Sequence, residues 1–261
     1  MIASFFRHLE GHQVEWLLVS GQATILYGAA TFSEDVDLWV EPSAQNLLRF
    51  AAALRASNAS YYKLTPPMTA EMAARHHGFH FTIPEQDGTV TYLDVMGRPP
   101  RVGSFDGARQ RACRFETQWG ALRTLAIPEL VELKKTQRPR DYPIIGRLVL
   151  SALREKRGAL GDEELRWAVA NVFGLTEFRQ LVTEFPEVCR VLGTAPALRQ
   201  AAEQISHGRT LPEALEDELE ELFDGRTARH RKADRHFWRR VIEDLGELRA
   251  QGSLMQKGTP V

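Results

Sequence analysis

The pattern of apolar residues changes once along this chain, close to Pro128. Before that position, short apolar or alternating runs of the strand type are interleaved with stretches of helical periodicity; after it, helical periodicity continues alone. Pro128 itself suits the first turn of a helix, where the amide proton that proline lacks has no partner. These patterns predict an α/β (α+β) chain in which a mixed sheet with flanking helices precedes an all-α C-terminal domain.

The same change sets the predicted domain limits. A chain of 261 residues can form one large domain or two small ones, and we expect an α/β domain over 1–126 and a helical domain over 127–250. Residues 251–261 are expected to form a loose tail. With 43% hydrophobic and 26% charged residues, the composition is that of an ordinary globular protein, which excludes wholesale disorder.

Composition and charge exclude further classes of protein. The longest apolar runs, at 16–19 and 23–30, are shorter than the roughly 18 residues that a membrane span needs, so no membrane association is expected. The chain has two cysteines, too few for a disulfide framework, which favours a reducing, cytoplasmic location. Its 33 basic and 34 acidic residues give a net charge of -1, so any binding to nucleic acid has to be local.

Most of the predicted elements lie before residue 140. Helices are expected over 2–9, 21–27, 43–57 and 129–138, and strands over 14–20, 35–40, 79–83, 89–96, 113–117 and 121–126. The linker 85–88 ends in Asp87-Gly88, a signal for a hairpin between the strands on either side of it.

Two carboxylates stand two residues apart in the second predicted strand. Asp35 and Asp37 would project from one face, about 6–7 Å apart along the backbone, and would repel each other without a positive partner. A hard divalent cation suits such a pair and leaves coordination positions open for substrate phosphates. Upstream, the Ser20-Gly21 turn opens a predicted helix whose first amide groups favour a phosphate.

Taken together, these residues resemble the signature of the nucleotidyltransferase superfamily. The signature consists of a Gly-Gly or Gly-Ser turn, a helix, a second Gly and then Asp-x-Asp on the next strand, and the matching residues are Gly21, Gly28, Ser33, Asp35 and Asp37. The resemblance implies that residues 1–126 form a nucleotidyltransferase-like catalytic domain.

The resemblance also implies a ligand set. Asp35 and Asp37 would hold Mg²⁺, or Mn²⁺, on a nucleoside triphosphate, and Ser20, Gly21 and Ser33 would bind the nucleotide. A third acid on a neighbouring strand, beside the acceptor hydroxyl, completes the site in that family. Asp94 is the candidate because it stands alone in an apolar strand, where an ionised carboxylate is costly unless it is paired or metal-bound. It would share a second metal ion or accept the proton of the acceptor hydroxyl; the alternative is that Asp94 faces solvent on an edge strand.

A second segment, residues 127–141, is similar to the helix and turn that follow the catalytic domain in bacterial toxin-like nucleotidyltransferases related to abortive-infection systems. In those proteins a Lys and an Arg-x-x-Asp turn approach the triphosphate, which implies that Lys134 and Arg138 bind the nucleotide. The alternative is an exposed basic helix end that complements the helix dipole.

The chain departs from the family pattern in its cations. Thr31 stands where many toxin-like relatives carry Arg, and no Lys or Arg occurs between Gly21 and Leu48. Metal and residues distant in sequence would therefore have to neutralise a triphosphate. Ser20 replaces the Gly found in many relatives, a change that the family tolerates.

Two other groups of residues have simpler interpretations. The acidic block 213–224 and the basic block 226–240 are expected to be solvated helix faces, although the basic block, with Phe237 and Trp238, is also a candidate RNA-binding surface. The cluster of His76, His77 and His80 is expected to be structural or solvated, since it lacks metal-ligand spacing.

The predicted function is a Mg²⁺-dependent nucleotidyltransferase that moves a nucleoside monophosphate from a nucleoside triphosphate to RNA, protein or a small molecule. The resemblance further implies a toxin of a toxin–antitoxin system, with an antitoxin partner. The alternative hypothesis is a catalytically inactive module of the same fold that contacts RNA or a protein partner through the basic block.

Overall fold

The computed structural model describes residues 2–85, 87–158, 160–193 and 195–261. They form two compact units: unit 1 comprises the described residues of 1–26, 30–133 and 237–261, and unit 2 those of 27–29 and 134–236. The predicted domain limit at 126 is close to the observed one at 133. Residues 237–250, which were expected in the helical domain, belong instead to unit 1.

Unit 1 contains a mixed sheet. Its strands are β1 (Trp16–Val19), β2 (Val36–Val40), β3 (Ser60–Tyr61), β4 (Gly78–Pro84), β5 (Val90–Met96), β6 (Cys113–Thr117) and β7 (Gly120–Thr124). They lie in the order β3-β4-β5-β2-β1-β7-β6. The β1/β7 and β2/β5 pairs are parallel and the remaining pairs are antiparallel. The four strands β5, β2, β1 and β7 therefore each have one parallel and one antiparallel neighbour.

The predicted hairpin joins β4 to β5, with Pro84 opposite Val90. In the turn, the amide of Gly88 donates a hydrogen bond to the backbone carbonyl of Glu85, and the amide of Thr89 donates one to Asp87 Oδ1. Gln86 of the predicted linker lies outside the described residues. The hairpin fixes the register of both strands, because each step back along β4 matches one step forward along β5.

Six helices lie within or at the boundary of unit 1. They are α1 (Ile2–Gly11), α2 (Ser20–Leu26), α3 (Ala44–Ala56), α4 (Ala70–Ala74), α5 (Phe105–Arg111) and α6 (Ile127–Lys134). Hydroxyl side chains cap three of them, since Ser43, Thr69 and Ser104 each accept an amide in the following first turn. The short α4 and α5 were not predicted, because neither shows more than one turn of apolar periodicity.

The core of unit 1 is built on aromatic rings under the sheet. Phe50 of α3 makes edge contacts with Phe5 of α1 and Phe81 of β4, at centroid distances of 6.4 and 6.2 Å. Alternate residues of β4 and β5 are buried on this face, whereas His80 and Asp94 point to the other, more open face. The core therefore leaves one face of the sheet free for polar groups.

The segment predicted to be a loose tail is ordered by backbone pairing. Met255 donates its amide to Thr65, Gly258 donates to Tyr61, and Tyr61 in turn donates to Thr259, at 2.8 to 2.9 Å. The expectation failed because the tail has no periodicity of its own: its partner is the unpaired edge of β3, which is not visible in the local sequence.

The helices of the C-terminal region include the long α11 (Glu213–Ala250), which carries both charge blocks and extends into unit 1. Unit 2 further contains α7 (Asp141–Glu155), α8 (Asp162–Ala170), α9 (Leu175–Glu184), a 3-10 helix (Pro186–Val191) and α10 (Pro196–Ser206). The predicted helix 129–138 ends earlier, at Lys134, and a new helix begins after Pro139. No strand occurs in the described part of unit 2, so the structure confirms the predicted α/β (α+β) class and its helical C-terminal region.

None of the helices in the described residues combines the length and the apolarity that crossing a membrane requires.

The end of α11 is held in unit 1 by one carboxylate. Asp244 accepts hydrogen bonds from His77 Nε2 at 2.6 Å and from Arg75, and the His77 side chain is only 1% exposed. This triad accounts for the placement of residues 237–250 in unit 1, and it gives His77 the structural role that was expected for it.

Replacing Asp244 with Ala should lower the free energy of unfolding by roughly 1–3 kcal/mol, because the buried His77 would lose its acceptor. Urea denaturation at pH 7 measures this change. The matched control is Glu243→Gln, since Glu243 is exposed on the same helix and makes no side-chain hydrogen bond or ion pair within the described residues. Equal stability of the two variants would contradict the structural role of Asp244.

Candidate active site

Three strands place two of the predicted carboxylates side by side. Asp37 of β2 lies opposite Val19 of β1 on one side and opposite Asp94 of β5 on the other. Because β2 and β5 are parallel neighbours, side chains at paired positions point to the same face of the sheet. Asp37 and Asp94 therefore share one open face, where both are partly exposed.

Asp35 comes just before β2, which begins at Val36 rather than at residue 35 as predicted. Burial raises the pKa of Asp35, and the negative charge of Asp94 raises it further, while Lys63 and His80 act in the opposite sense. Because the charge of Asp94 affects the pKa of Asp35, these two carboxylates lie within electrostatic range of each other. The structure thus brings Asp35, Asp37 and Asp94 into one acidic group, which we call the carboxylate cluster.

Asp94 is the best-partnered member of this cluster. His80 Nδ1 donates to its Oδ1 at 2.7 Å, and Lys63 Nζ lies 3.6 Å from its Oδ2. Burial alone would raise the pKa of Asp94, but the hydrogen bond from His80 and the charges of His80 and Lys63 outweigh burial and lower it. Asp94 is therefore held ionised, and it is not the solvent-facing residue of an edge strand, since β5 lies between β4 and β2.

The turn after β1 is packed against the loop that leads to β2. A Cβ atom on Gly21 would lie 2.0 Å from Ser33 Oγ and 3.9 Å from Asp37 Oδ2, so only glycine fits at this position. Gln22 Nε2 donates to the Ser33 carbonyl at 3.0 Å, which fixes the loop. Gly21, Ser33 and Asp37 are therefore neighbours in the structure.

Ser20 has a left-handed backbone, with φ of +56°. A glycine adopts this conformation without steric cost, whereas an L-residue with a side chain does so at the expense of stability. A glycine at this first position of the turn would therefore be compatible with the observed backbone. Strained backbone of this kind is concentrated at functional sites.

The donor chemistry at Asp35 and Asp37 fits a divalent cation, because both offer hard carboxylate oxygens at the start of β2. The pKa of Asp35 is raised first by burial and then by the charge of Asp94, and a bound cation would act against both effects. Asp94 fits less well as arranged, since both of its oxygens already have cationic or hydrogen-bonding partners. Within the described residues, no three His, Cys, Asp or Glu side chains are arranged as a ready-made metal site.

Lys134 and Arg138 converge on a different acid. Lys134 Nζ lies 3.5 Å from Asp141 Oδ1, and Arg138 Nε lies 3.0 Å from Asp141 Oδ2. The Lys134 side chain is 7% exposed and that of Arg138 52%. Lys134 is thus a buried ion-pair partner and not an exposed helix end, while Arg138 keeps a solvent-facing side. Their contact with a nucleotide stays a prediction.

Sequence reasoning missed two members of the site, His80 and Lys63. The partner of Asp94 could have been found from the hairpin: with Pro84 opposite Val90, counting four residues back along β4 and four forward along β5 pairs His80 with Asp94. No comparable signal exists for Lys63, which reaches the site from the loop after the two-residue β3.

The basic block is divided between structural and exposed residues. Arg226 donates to the carbonyls of Val169 and Val172, and Arg231 donates to the carbonyl of Gln137. The exposed bases are Arg229, Lys232, Arg235, Arg239 and Arg240. The block is therefore a solvated helix face in part, with two arginines used for internal hydrogen bonds.

Comparison with known proteins adds little to this geometry. No protein-family model matches the chain, and no curated protein sequence matches it. Among solved structures, the chain is similar to an antigenic nucleotidyltransferase-like protein from Paracoccidioides brasiliensis, with a TM-score of 0.34 and 14% identity over 82% of this chain and 94% of that one. A likeness this distant supports no argument about function. Any proposal about function therefore depends on the residues of the candidate site.

Asp35 and Asp94 should affect stability with opposite signs in metal-free buffer at pH 7. Above its raised pKa, Asp35 is ionised in both states and only the folded state bears the cost, so Asp35→Asn should raise the free energy of unfolding. Asp94 has a lowered pKa and stabilises the folded state at neutral pH, so Asp94→Asn should lower this free energy by about 1–2 kcal/mol.

Urea denaturation at pH 7 and near pH 4 checks both signs. The gain from Asp35→Asn should shrink as the pH falls towards the ordinary aspartate pKa, where the wild-type carboxyl is increasingly protonated in the unfolded state as well. The same sign for both variants at pH 7 would contradict the described electrostatics of the cluster.

Proposed function

We propose that the protein is a Mg²⁺-dependent nucleotidyltransferase that transfers a nucleoside monophosphate from a nucleoside triphosphate to an acceptor hydroxyl. One observation carries the proposal: Asp37 and Asp94 occupy paired positions on neighbouring strands, with Asp35 in electrostatic range and Ser33 packed on Gly21 beside them. This combination supports phosphoryl chemistry because it gathers hard oxygen donors next to small polar groups on the open face of the sheet.

In this proposal Asp35 and Asp37 hold Mg²⁺, or Mn²⁺, which neutralises charge on the phosphates and on the leaving pyrophosphate when it is bound. The acceptor hydroxyl oxygen forms a bond to the α-phosphorus and releases its proton to solvent, while the bond from the α-phosphorus to the oxygen that bridges it to the β-phosphorus breaks and releases pyrophosphate. Ser20 and Ser33 present hydroxyl groups to the nucleotide. Lys134 and Arg138 are proposed to bind the nucleotide as well, Arg138 through the solvent-facing side of its guanidinium.

The role of Asp94 follows from its partners. A general base works best when its pKa lies near the operating pH, whereas His80 and Lys63 lower the pKa of Asp94. The contacts therefore favour a charge-holding role for Asp94, in which it orients cations and the acceptor, over the role of proton acceptor. His80 acts as a positioning residue, since its hydrogen bond fixes the carboxylate.

The acceptor in this proposal is RNA, a protein or a small molecule. The resemblance to toxin-like nucleotidyltransferases supports a role as the toxin of a toxin–antitoxin system, and an antitoxin would then be its partner.

Loss of any one of the three carboxylates should abolish transfer. We expect Asp35→Asn, Asp37→Asn and Asp94→Asn each to reduce label incorporation at least about 100-fold, because each removes charge that acts on the phosphates or their cation. Purified protein is incubated with each α-labelled nucleoside triphosphate, Mg²⁺ and a cell extract, and the labelled fraction is identified. The control is Glu34→Gln, which removes an exposed carboxylate from the adjacent position.

Transfer by wild-type protein together with full transfer by an Asp37→Asn variant would contradict the site assignment. Wild-type protein that neither transfers label nor gains thermal stability from any triphosphate with Mg²⁺ would contradict the proposed function.

A second candidate is the inactive module that contacts RNA. The observation that favours it is the row of exposed basic side chains on α11. Within the described residues, these side chains make no internal hydrogen bonds. Such a surface binds RNA through its phosphates, and its affinity falls steeply with salt.

If this candidate holds, the double variant Lys232→Gln/Arg235→Gln should weaken RNA binding and reduce the slope of log affinity against log salt by about 0.7 for each phosphate that is no longer neutralised. Fluorescence anisotropy with a labelled single-stranded RNA measures both quantities. Arg7→Gln/Arg123→Gln removes the same charge from exposed positions outside the block and serves as the control. Absence of RNA binding at low salt would discard this candidate.

A further inference from the structure

The carboxylate cluster needs cations that its own segment of the chain does not provide. No Lys or Arg occurs between Gly21 and Leu48, which includes both Asp35 and Asp37. A nucleoside triphosphate bound beside three carboxylates needs positive charge from elsewhere, since like charges in proximity repel. Besides the proposed cation and the proposed contacts of Lys134 and Arg138, basic residues that unit 1 brings to the cluster from other segments can supply it.

Lys63 is the first such residue. Its Nζ lies 3.6 Å from Asp94 Oδ2, and its side chain remains 44% exposed. The backbone of Lys63 is left-handed, with φ of +56°, which is uncommon for a residue with a side chain. A strained backbone that presents a half-exposed ammonium group to a carboxylate at a candidate active site is consistent with a ligand-binding role.

Lys257 is the second, and it comes from the far end of the chain. Its Nζ lies 5.1 Å from the centre of the Tyr62 ring, while Lys63 Nζ lies 5.2 Å from the same centre. The Tyr62 ring itself packs against Tyr92, at 4.9 Å between centroids. Two ammonium groups are thus gathered around one aromatic ring, on the β4–β5 side of the cluster.

The charge of Lys257 has no acidic partner among the residues described by the structure, where no carboxylate lies within ion-pair distance of its Nζ. Attraction to the ring face of Tyr62 offsets part of the repulsion between the two lysines, but a cation–π contact at an exposed site contributes only about 0.5–1 kcal/mol. An anion that lies between or beside the two ammonium groups would offset much more of it. This arrangement favours a phosphate-bearing ligand.

Backbone pairing holds Lys257 in place before any ligand arrives. The neighbouring residues Met255, Gly258 and Thr259 all take part in main-chain hydrogen bonds with the segment 61–65. Gly258 has φ of +84°, a conformation that a residue with a side chain adopts only with strain. Because this strap, residues 255–259, is fixed, binding a ligand does not require the entropy of ordering a free terminus.

We propose that residues 255–259 form part of the nucleotide-binding site, and that Lys257, together with Lys63, binds the polyphosphate of the nucleoside triphosphate beside the carboxylate cluster. The inference rests on the proposed function. It supplies the missing positive charge from two segments that are nearly 200 residues apart in sequence and adjacent around Tyr62.

The test is calorimetric titration of the full chain with each nucleoside triphosphate in the presence of Mg²⁺, and with inorganic tripolyphosphate. Lys257→Gln should weaken binding of the best nucleotide and of tripolyphosphate about tenfold, the loss expected for one charge-assisted contact. Lys257→Arg should retain most of the affinity. Arg123→Gln, which removes an exposed charge from β7 near the opposite edge of the sheet, should bind like the wild type.

Thermal denaturation without ligand shows whether the strap is intact, and the melting temperature of Lys257→Gln should match that of the wild type. Unchanged nucleotide affinity of Lys257→Gln, with clear binding by the wild type, would overturn the inference and leave the proposed function standing. A loss of affinity for single-stranded RNA without a loss for nucleotides would also overturn it. Wild-type protein that binds neither nucleotides nor tripolyphosphate would overturn both.

Discussion

The pairing of Asp37 with Asp94 across β2 and β5 is the constraint on which the rest of the site depends. Parallel register places the two carboxylates on the same face of adjacent strands, where negative charge is unfavourable unless it is compensated. The surrounding residues supply that compensation unevenly. His80 and Lys63 act directly on Asp94, while Asp35 keeps a raised pKa from burial and from the charge of its neighbour.

This unequal compensation divides the cluster into two parts. Asp94 is ionised, hydrogen-bonded and oriented, as expected for a fixed electrostatic element of a site. Asp37 lies near the start of β2 beside Gly21 and Ser33, and Asp35, just before the strand, has a pKa raised by burial and by the charge of Asp94. A bound cation would offset both causes, since it adds positive charge where an ionised carboxylate is costly, and this favours the Asp35 and Asp37 side as the proposed metal position.

Much of this arrangement could be predicted from local sequence. The positions of β1, α2, β2 and the β4–β5 hairpin follow from apolar patterning and turn chemistry, and the hairpin register even contains the His80–Asp94 pair. What could not be predicted depends on long-range pairing. The strap at 255–259 has no pattern of its own, and the burial of Lys134 depends on Asp141, seven residues beyond it, after a helix break.

The same distinction explains the departures from the family pattern. A basic residue close in sequence to the Asp-x-Asp motif is readily recognised, and its absence at Thr31 means that metal and residues distant in sequence would have to neutralise a triphosphate. The fold offers candidates for such residues, because Lys63, which pairs with Asp94, and Lys257 both approach the ring of Tyr62 from two distant segments. An electrostatic requirement acts on positions in space and not on positions in sequence, so a missing cation in a motif is informative only after the residues that pair with its strands are known. In this chain we propose that the loop after β3 and the strap supply the positive charge that the motif lacks.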